Sequence, residues 1–302
     1  MKRETALSII MILIAAAGWG VIGVFSRPLS AAGLDAIQIT FIRSITVVAA
    51  MGIFLFFKDK SLFRIQLKDI WIFLGTGFVS IVFFNVCYFL TIERATLAAA
   101  SILLYTAPCF VMLMSAVFFK EKITVRKLTA LALAFLGCAL ASGFAGGNIG
   151  AFALLTGIGS GFGYATYSIF GKVALKKYQT YTVIFYTFVV STAALLPFAR
   201  VTDIAFILSG DFGNAMTALG LGIISTFMPY VFYTSGLKYV EAGKASVLAF
   251  AEPMIATIAG IVVFNEPLYL KNAAGILMIF AAIVLLNIPL AKRRKNKNIE
   301  KM

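Results

Sequence analysis

The chain has 302 residues, of which 61% are hydrophobic and 13% charged, with a net charge of +14 and no histidine. Its mean hydropathy of +0.99 and an apolar share well above the about 45–50% of soluble domains indicate an integral membrane protein. Without histidine there is no HExxH metal site, no Ser-His-Asp triad and no proton shuttle of the usual kind near neutral pH, so a coupled proton would have to travel on a carboxylate.

The apolar runs are close to the ~20 residues that an α-helix needs to cross ~30 Å of hydrocarbon, which argues against the ten-residue alternating strands of a β-barrel. The first, from Ala6 to Phe25, follows a basic start and superficially resembles a signal peptide. It is long enough to span, and its Gly18-Trp19-Gly20 is echoed by Gly161-Phe162-Gly163. It therefore reads as the first of ten helices. The other nine are expected at residues 36–57, 70–91, 95–119, 126–143, 151–171, 181–198, 214–236, 243–264 and 271–290.

With the N-terminus inside, Arg27, Arg94, Arg200 and Lys271 fall outside, Arg43 falls within a span, and the rest of the 26 Lys and Arg fall inside. That bias places both termini in the cytoplasm and the protein in the plasma membrane. The basic residues sit in short breaks between apolar runs, not on one face, so nucleic acid is not an expected partner. The segment 199–213 is too short to fold alone, and the tail KRRKNKNIEK reads as an anchor beside anionic lipid. Cys87, Cys109 and Cys138 lie within apolar runs without CxxC spacing and read as packing residues. No cofactor or metal is implied.

The chain repeats itself. At an offset of 145, Val86 falls on Val231, Tyr88 on Tyr233, Ser101 on Ser246, Leu103 on Leu248, Pro108 on Pro253, Phe119 on Phe264, Glu121 on Glu266, Phe135 on Phe280 and Leu140 on Leu285. The expected domains are residues 1–145 and 146–302, the second carrying the basic tail. Five helices is an odd number, so the second copy enters from the opposite side. The fold class is an all-α integral membrane protein with ten transmembrane helices as two inverted five-helix repeats, the common plan of secondary transporters.

The duplicated five-helix unit, the proline inside its fourth helix, the glutamate 13 residues later (FFKEK, VFNEP) and the opening GWG together resemble the drug/metabolite transporter superfamily, EamA type. The resemblance implies ten helices, transport of small metabolites, and a central cavity lined by helices one, three, four, six, eight and nine. The first copy departs from the second by having Ala107 where Glu252 stands.

Glu252 lies nine residues into its helix, near the bilayer middle. An acidic group there costs about 2.5–3.5 kcal/mol on insertion scales and normally faces a polar cavity. It is the expected proton-coupling residue or substrate counter-charge; the alternative is a carboxyl hydrogen-bonded to a neighbouring helix. Pro108 and Pro253 free the carbonyls of Leu104 and Ala249 from their helical partners, as Pro229 frees Ser225, either lining the cavity or only kinking the helix. The other candidate substrate-binding residues are Trp19, Asn85, Tyr88, Tyr105, Tyr164, Tyr167, Tyr230 and Tyr233, on helices that the resemblance assigns to the cavity. Tyrosines within a membrane need a hydroxyl partner, and their faces suit an organic cation or an aromatic solute. Arg43 is shallow enough to snorkel outward, and Glu121 and Glu266 read as capping residues.

The leading reading is a secondary transporter, in the exporting direction, for a small organic solute such as an amino acid or organic cation. It works by alternating access with proton coupling at Glu252. A phosphorylated solute would need more cationic partners than Arg43 supplies. A non-transporting membrane sensor or assembly protein is the alternative, with an intramembrane enzyme behind it. The lipid bilayer and the small solute are the expected partners, and the sequence leaves a homodimer open.

Overall fold

The computed structural model describes residues 2–142 and 149–288. The boundary expected at 145/146 and the basic tail lie outside the described residues. Every regular element among the described residues is helical. Eight helices among them are long and apolar enough to span a bilayer: α1 (Arg3–Ala31), α2 (Ala36–Lys58), α3 (Leu67–Arg94), α4 (Leu97–Phe119), α7 (Thr180–Phe198), α8 (Phe212–Leu237), α9 (Ala242–Phe264) and α10 (Leu270–Asn287). Between them lie α5 (Val125–Ala141), of 17 residues, and α6 (Ala151–Ala174), of 24 residues. The first is short. The second carries the polar run TGIGSGFGYATYS and buries Gly157, Gly161, Ala165 and Tyr167, while Phe152, Leu154, Leu155, Ile158 and Phe162 on its other face are exposed. A helix face packed against other helices needs small residues for close approach more than it needs an oily surface. A short surface helix, Val201–Gly210, joins α7 to α8.

Local chemistry fixes the helix starts. Asp35 opens α2 with a capping box, accepting from Gln38 N at 2.8 Å while Gln38 Oε1 accepts from Asp35 N at 2.9 Å. Thr96 and Thr124 cap α4 and α5 through the N–H groups of Ala99 and Lys127. Large apolar side chains such as Phe57, Val117 and Leu277 point outward, as lipid contact requires. Ile12, Met51, Phe188, Leu237 and Leu248 form the buried core.

Matching irregularities recur at the repeat offset. Helices α3 and α8 both widen into π-type turns, over Leu74–Phe83 and Ile223–Phe227. Helix α4 breaks at Tyr105–Thr106 and restarts at Ala107, whereas α9 breaks at Ala249–Phe250 and restarts at Ala251, so each proline sits in the first turn of a new half-helix. A proline there lacks only an N–H that a helix start leaves unpaired. Lys120 and Asn265, 145 residues apart, both end their helices in the left-handed conformation, at φ 56° and 53°.

The first helix of each half packs into the other half. A Cβ on Gly18 of α1 would lie 2.5 Å from Pro229 Cγ, and one on Gly163 of α6 would lie 3.0 Å from Phe84 Cβ. Gly18 and Gly163 are 145 apart, as are Phe84 and Pro229, so the same approach is made twice with the halves exchanged.

Candidate functional site

The exchanged packing brings α1 and α6 together with α3, α4, α8 and α9 around an aromatic cluster. Trp19 is its centre, with ring centroids 5.1 Å from Tyr233, 5.4 Å from Tyr230 and 6.4 Å from Tyr164. Tyr167 stands edge-on to Tyr230 at 5.0 Å, and Phe84 edge-on to Tyr164 at 5.5 Å. Trp19, Tyr164, Tyr167, Tyr230 and Tyr233 line a small cavity. An adjoining small cavity is lined by Tyr105, Tyr164, Pro108 and Glu252. The rings are closely packed, and each pocket has room for little more than a water molecule. A solute needs ring movement to enter.

Glu252 occupies the first turn of the half-helix that restarts at Ala251, so its carboxylate stands at the positive end of that helix. Tyr164 donates its hydroxyl to Glu252 Oε2 at 3.1 Å. Two other cluster hydroxyls are engaged elsewhere, Tyr167 with Thr234 Oγ1 at 2.6 Å and Tyr233 with Ser168 Oγ at 2.7 Å. These two tyrosines therefore present rings to the cavity.

Of the residues singled out in the sequence, the structure gathers Trp19, Tyr105, Tyr164, Tyr167, Tyr230, Tyr233 and Glu252. Two sit apart. Asn85 donates Nδ2 to Ile81 O of its own helix at 2.6 Å, and the Tyr88 hydroxyl is 3.2 Å from Ser101 Oγ. Arg43 does not snorkel. Its Nε donates to Thr226 Oγ1 at 3.0 Å, and it lines a small cavity with Asn85, Phe188 and Tyr230. The acceptor is available because the π-type turn of α8 carries Thr226, whose own hydroxyl donates to Leu221 O at 2.9 Å. Arg43 and Glu252 are near enough to interact electrostatically. The site thus holds a cation and an anion joined by aromatic rings. No group of three or more His, Cys, Asp or Glu placed to hold a metal occurs among the described residues.

Sequence reasoning missed the partners of Glu121 and Glu266. Glu121 accepts from Lys172 Nζ at 2.9 Å and from the N–H groups of Ala242 and Gly243 at 2.8 and 3.1 Å. It caps the start of α9, across the boundary between halves. Glu266 pairs with Arg27 Nη1 at 2.6 Å. Arg27 and Lys172 are themselves 145 residues apart, which was the available signal.

The model of the EamA-like transporter family matches this chain twice, over residues 6–143 and 151–288. The chain belongs to the EamA-like transporter family. Its relatives are transporters by name. An uncharacterized transporter of Archaeoglobus fulgidus is 32% identical over 91% of this chain and 94% of its own. The inner membrane transporter YicL of Salmonella typhimurium is 25% identical over 97% and 99%. The pseudopaline exporter CntI of Pseudomonas aeruginosa is 25% identical over 85% and 88%. A crystal structure of another protein shares the fold, with a TM-score of 0.75 at 19% identity, covering 93% of this chain and 96% of the other. This family member is thus a multi-pass membrane protein of the drug/metabolite transporter superfamily.

Proposed function

We propose that this protein is a secondary transporter that exports a small organic solute by alternating access, with Glu252 as counter-charge or proton carrier. The observation that carries the reading is the half-helix start at Ala251, which points Glu252 at Tyr164 beside an aromatic cluster drawn from both halves. Discontinuous helices meeting between repeats are where transporters bind solutes and coupling ions. Arg43 beside Tyr230 and Glu252 beside Tyr164 favour a zwitterion, such as an amino acid, over a plain anion.

In this reading α5 and α6 also cross the bilayer, giving ten spans in two inverted halves, residues 1–145 and 146–302, with both termini in the cytoplasm of a plasma-membrane protein. The exchanged contacts at an offset of 145 support the two halves, and an odd number of helices per half inverts the second. The exporting direction is supported by the exporter among the relatives. One carboxylate at the cavity and a chain without histidine offer little to an enzyme.

A metabolite-wide screen of cells with and without the protein tests this reading. At least one zwitterionic or cationic solute should accumulate in the medium when the protein is present. An unchanged profile, with the protein folded and in the membrane, contradicts it.

A further inference from the structure

The two ends of the molecule carry the same set of parts, and they are assembled at one end only. At the first end Lys172 pairs with Glu121 at 2.9 Å, stands 5.6 Å from the ring centre of Phe119, and donates to Val240 O at 2.9 Å. Glu121 in turn accepts from the N–H groups that start α9. The side chains of Lys172 and Glu121 are 21% and 7% exposed, and Val240, Ala242 and Ala245 are buried.

At the second end every residue number shifts by 145 and the halves exchange. Arg27 pairs with Glu266 at 2.6 Å and stands 4.4 Å from the ring centre of Phe264. Here the set stops. The equivalents of Val240, Ala242 and Gly243 are Ala95, Leu97 and Ala98. Among the described residues, Arg27 makes no bond to Ala95 O and Glu266 makes none to the N–H groups of Leu97 and Ala98. The Thr96 side chain takes the N–H of Ala99, which leaves the N–H groups of Leu97 and Ala98 to another acceptor. Arg27 and Glu266 are 51% and 47% exposed, and Leu97 is 57% exposed.

We infer that the two sets are reciprocal locks. Glu121 clamps α9 and shuts its end of the cavity in the described conformation, while Glu266 clamps α4 and shuts the other end in the alternate conformation, as Glu121 lets go. Each glutamate is an acceptor for two helix-start N–H groups that it reaches only when its end is closed, and each Lys or Arg adds a bond from the other half. Hydrogen bonds to a charged group are the strong class, so opening one lock is compensated by closing its equivalent and the two states stay close in free energy. The first conformation has the Glu121 lock made and the Glu266 lock half made. This inference rests on the alternating-access reading above, and it adds which residues hold each end.

Accessibility of single cysteines at Ser101 and Ser246, equivalent positions beyond the two locks, tests it. Cys87, Cys109 and Cys138 are first replaced by alanine in the full chain, and the purified protein in detergent is treated with a charged methanethiosulfonate reagent. Ser101→Cys should react faster than Ser246→Cys. Adding Glu121→Gln should speed Ser246→Cys and slow Ser101→Cys, changing their ratio by about tenfold, the effect of losing one or two charge-assisted bonds in a two-state equilibrium. Adding Glu266→Gln should move the ratio the opposite way. If Glu121→Gln yields no monodisperse protein, Lys172→Gln breaks the same lock and must give the same pair of changes. Faster reaction at Ser246 without slowing at Ser101, or the same direction from both glutamates, overturns the inference by reducing Glu121 to a local cap. No solute enters this measurement, so its failure leaves the transporter reading standing, and an unchanged metabolite profile bears on that reading alone.

Discussion

The hydroxyl of Tyr164 donates to Glu252 Oε2 at 3.1 Å, the one tyrosine of the cluster to bond the carboxylate among the described residues. Removing that hydroxyl leaves the ring contacts with Trp19 and Phe84 in place. Tyr164→Phe should therefore fold as the parent does and lose about tenfold in transport efficiency, the usual effect of deleting a hydrogen bond to a charged group. Initial transport rates at several solute concentrations check this.

Glycine in α1 should be tolerant at one turn and intolerant at the next. A Cβ on Gly20 would lie 2.7 Å from both Glu252 O and Ile255 Cβ, whereas one on Gly23 meets nothing within 4 Å. Gly20→Ala should push α1 from α9, displace Glu252 and cost about 1–3 kcal/mol. Gly23→Ala should be neutral or slightly stabilising. Thermal unfolding in detergent, read with transport, checks both.

The Glu121 lock has a pH dependence of known sign. Burial pushes its carboxyl up, but hydrogen bonds from Lys172 and from the Ala242 and Gly243 N–H groups outweigh burial and hold it below the usual 4.5. A group depressed in the folded state contributes stability that is complete above its unfolded value and is lost as the pH falls through the folded one. The difference in thermal stability between the parent and Glu121→Gln should hence be constant from about pH 8 to about pH 5.5 and shrink in stronger acid. A difference that grows on acidification would contradict this assignment.

Reporter fusions address orientation. A reporter active only in the cytoplasm and joined after Met302 should be active, as should one placed in the Lys58–Lys68 loop. A reporter active only outside the cell should be silent at both places.

Much of this was legible in the sequence because the signals were long or costly. Twenty-residue apolar runs have few alternatives, an acid beside a proline at bilayer depth demands an explanation, and an ungapped offset of 145 survives modest identity. Arg43 was misplaced since depth along α2 says how far a side chain can reach, whereas Thr226 becomes its acceptor through the π-type turn in α8. Asn85 satisfies itself on Ile81 O, a local bond that composition does not reveal. Arg27 and Lys172 were absorbed into the counting of inside and outside charges, which hid that both recur at the repeat offset. Helices α5 and α6 differ from the other eight for separate reasons, since α5 is short, at 17 residues, and α6 carries the polar run TGIGSGFGYATYS on the face it packs against its neighbours.

The most direct test of the account is transport by purified Glu252→Gln protein in liposomes, using the solute identified by the metabolite screen. Glutamine keeps the shape and a hydrogen-bonding oxygen toward Tyr164 but cannot titrate or carry charge. The account predicts normal folded yield with loss of concentrative, pH-dependent transport between about pH 5.5 and about pH 8. Uphill transport equal to the parent's across that range would show Glu252 to be structural and contradict the account.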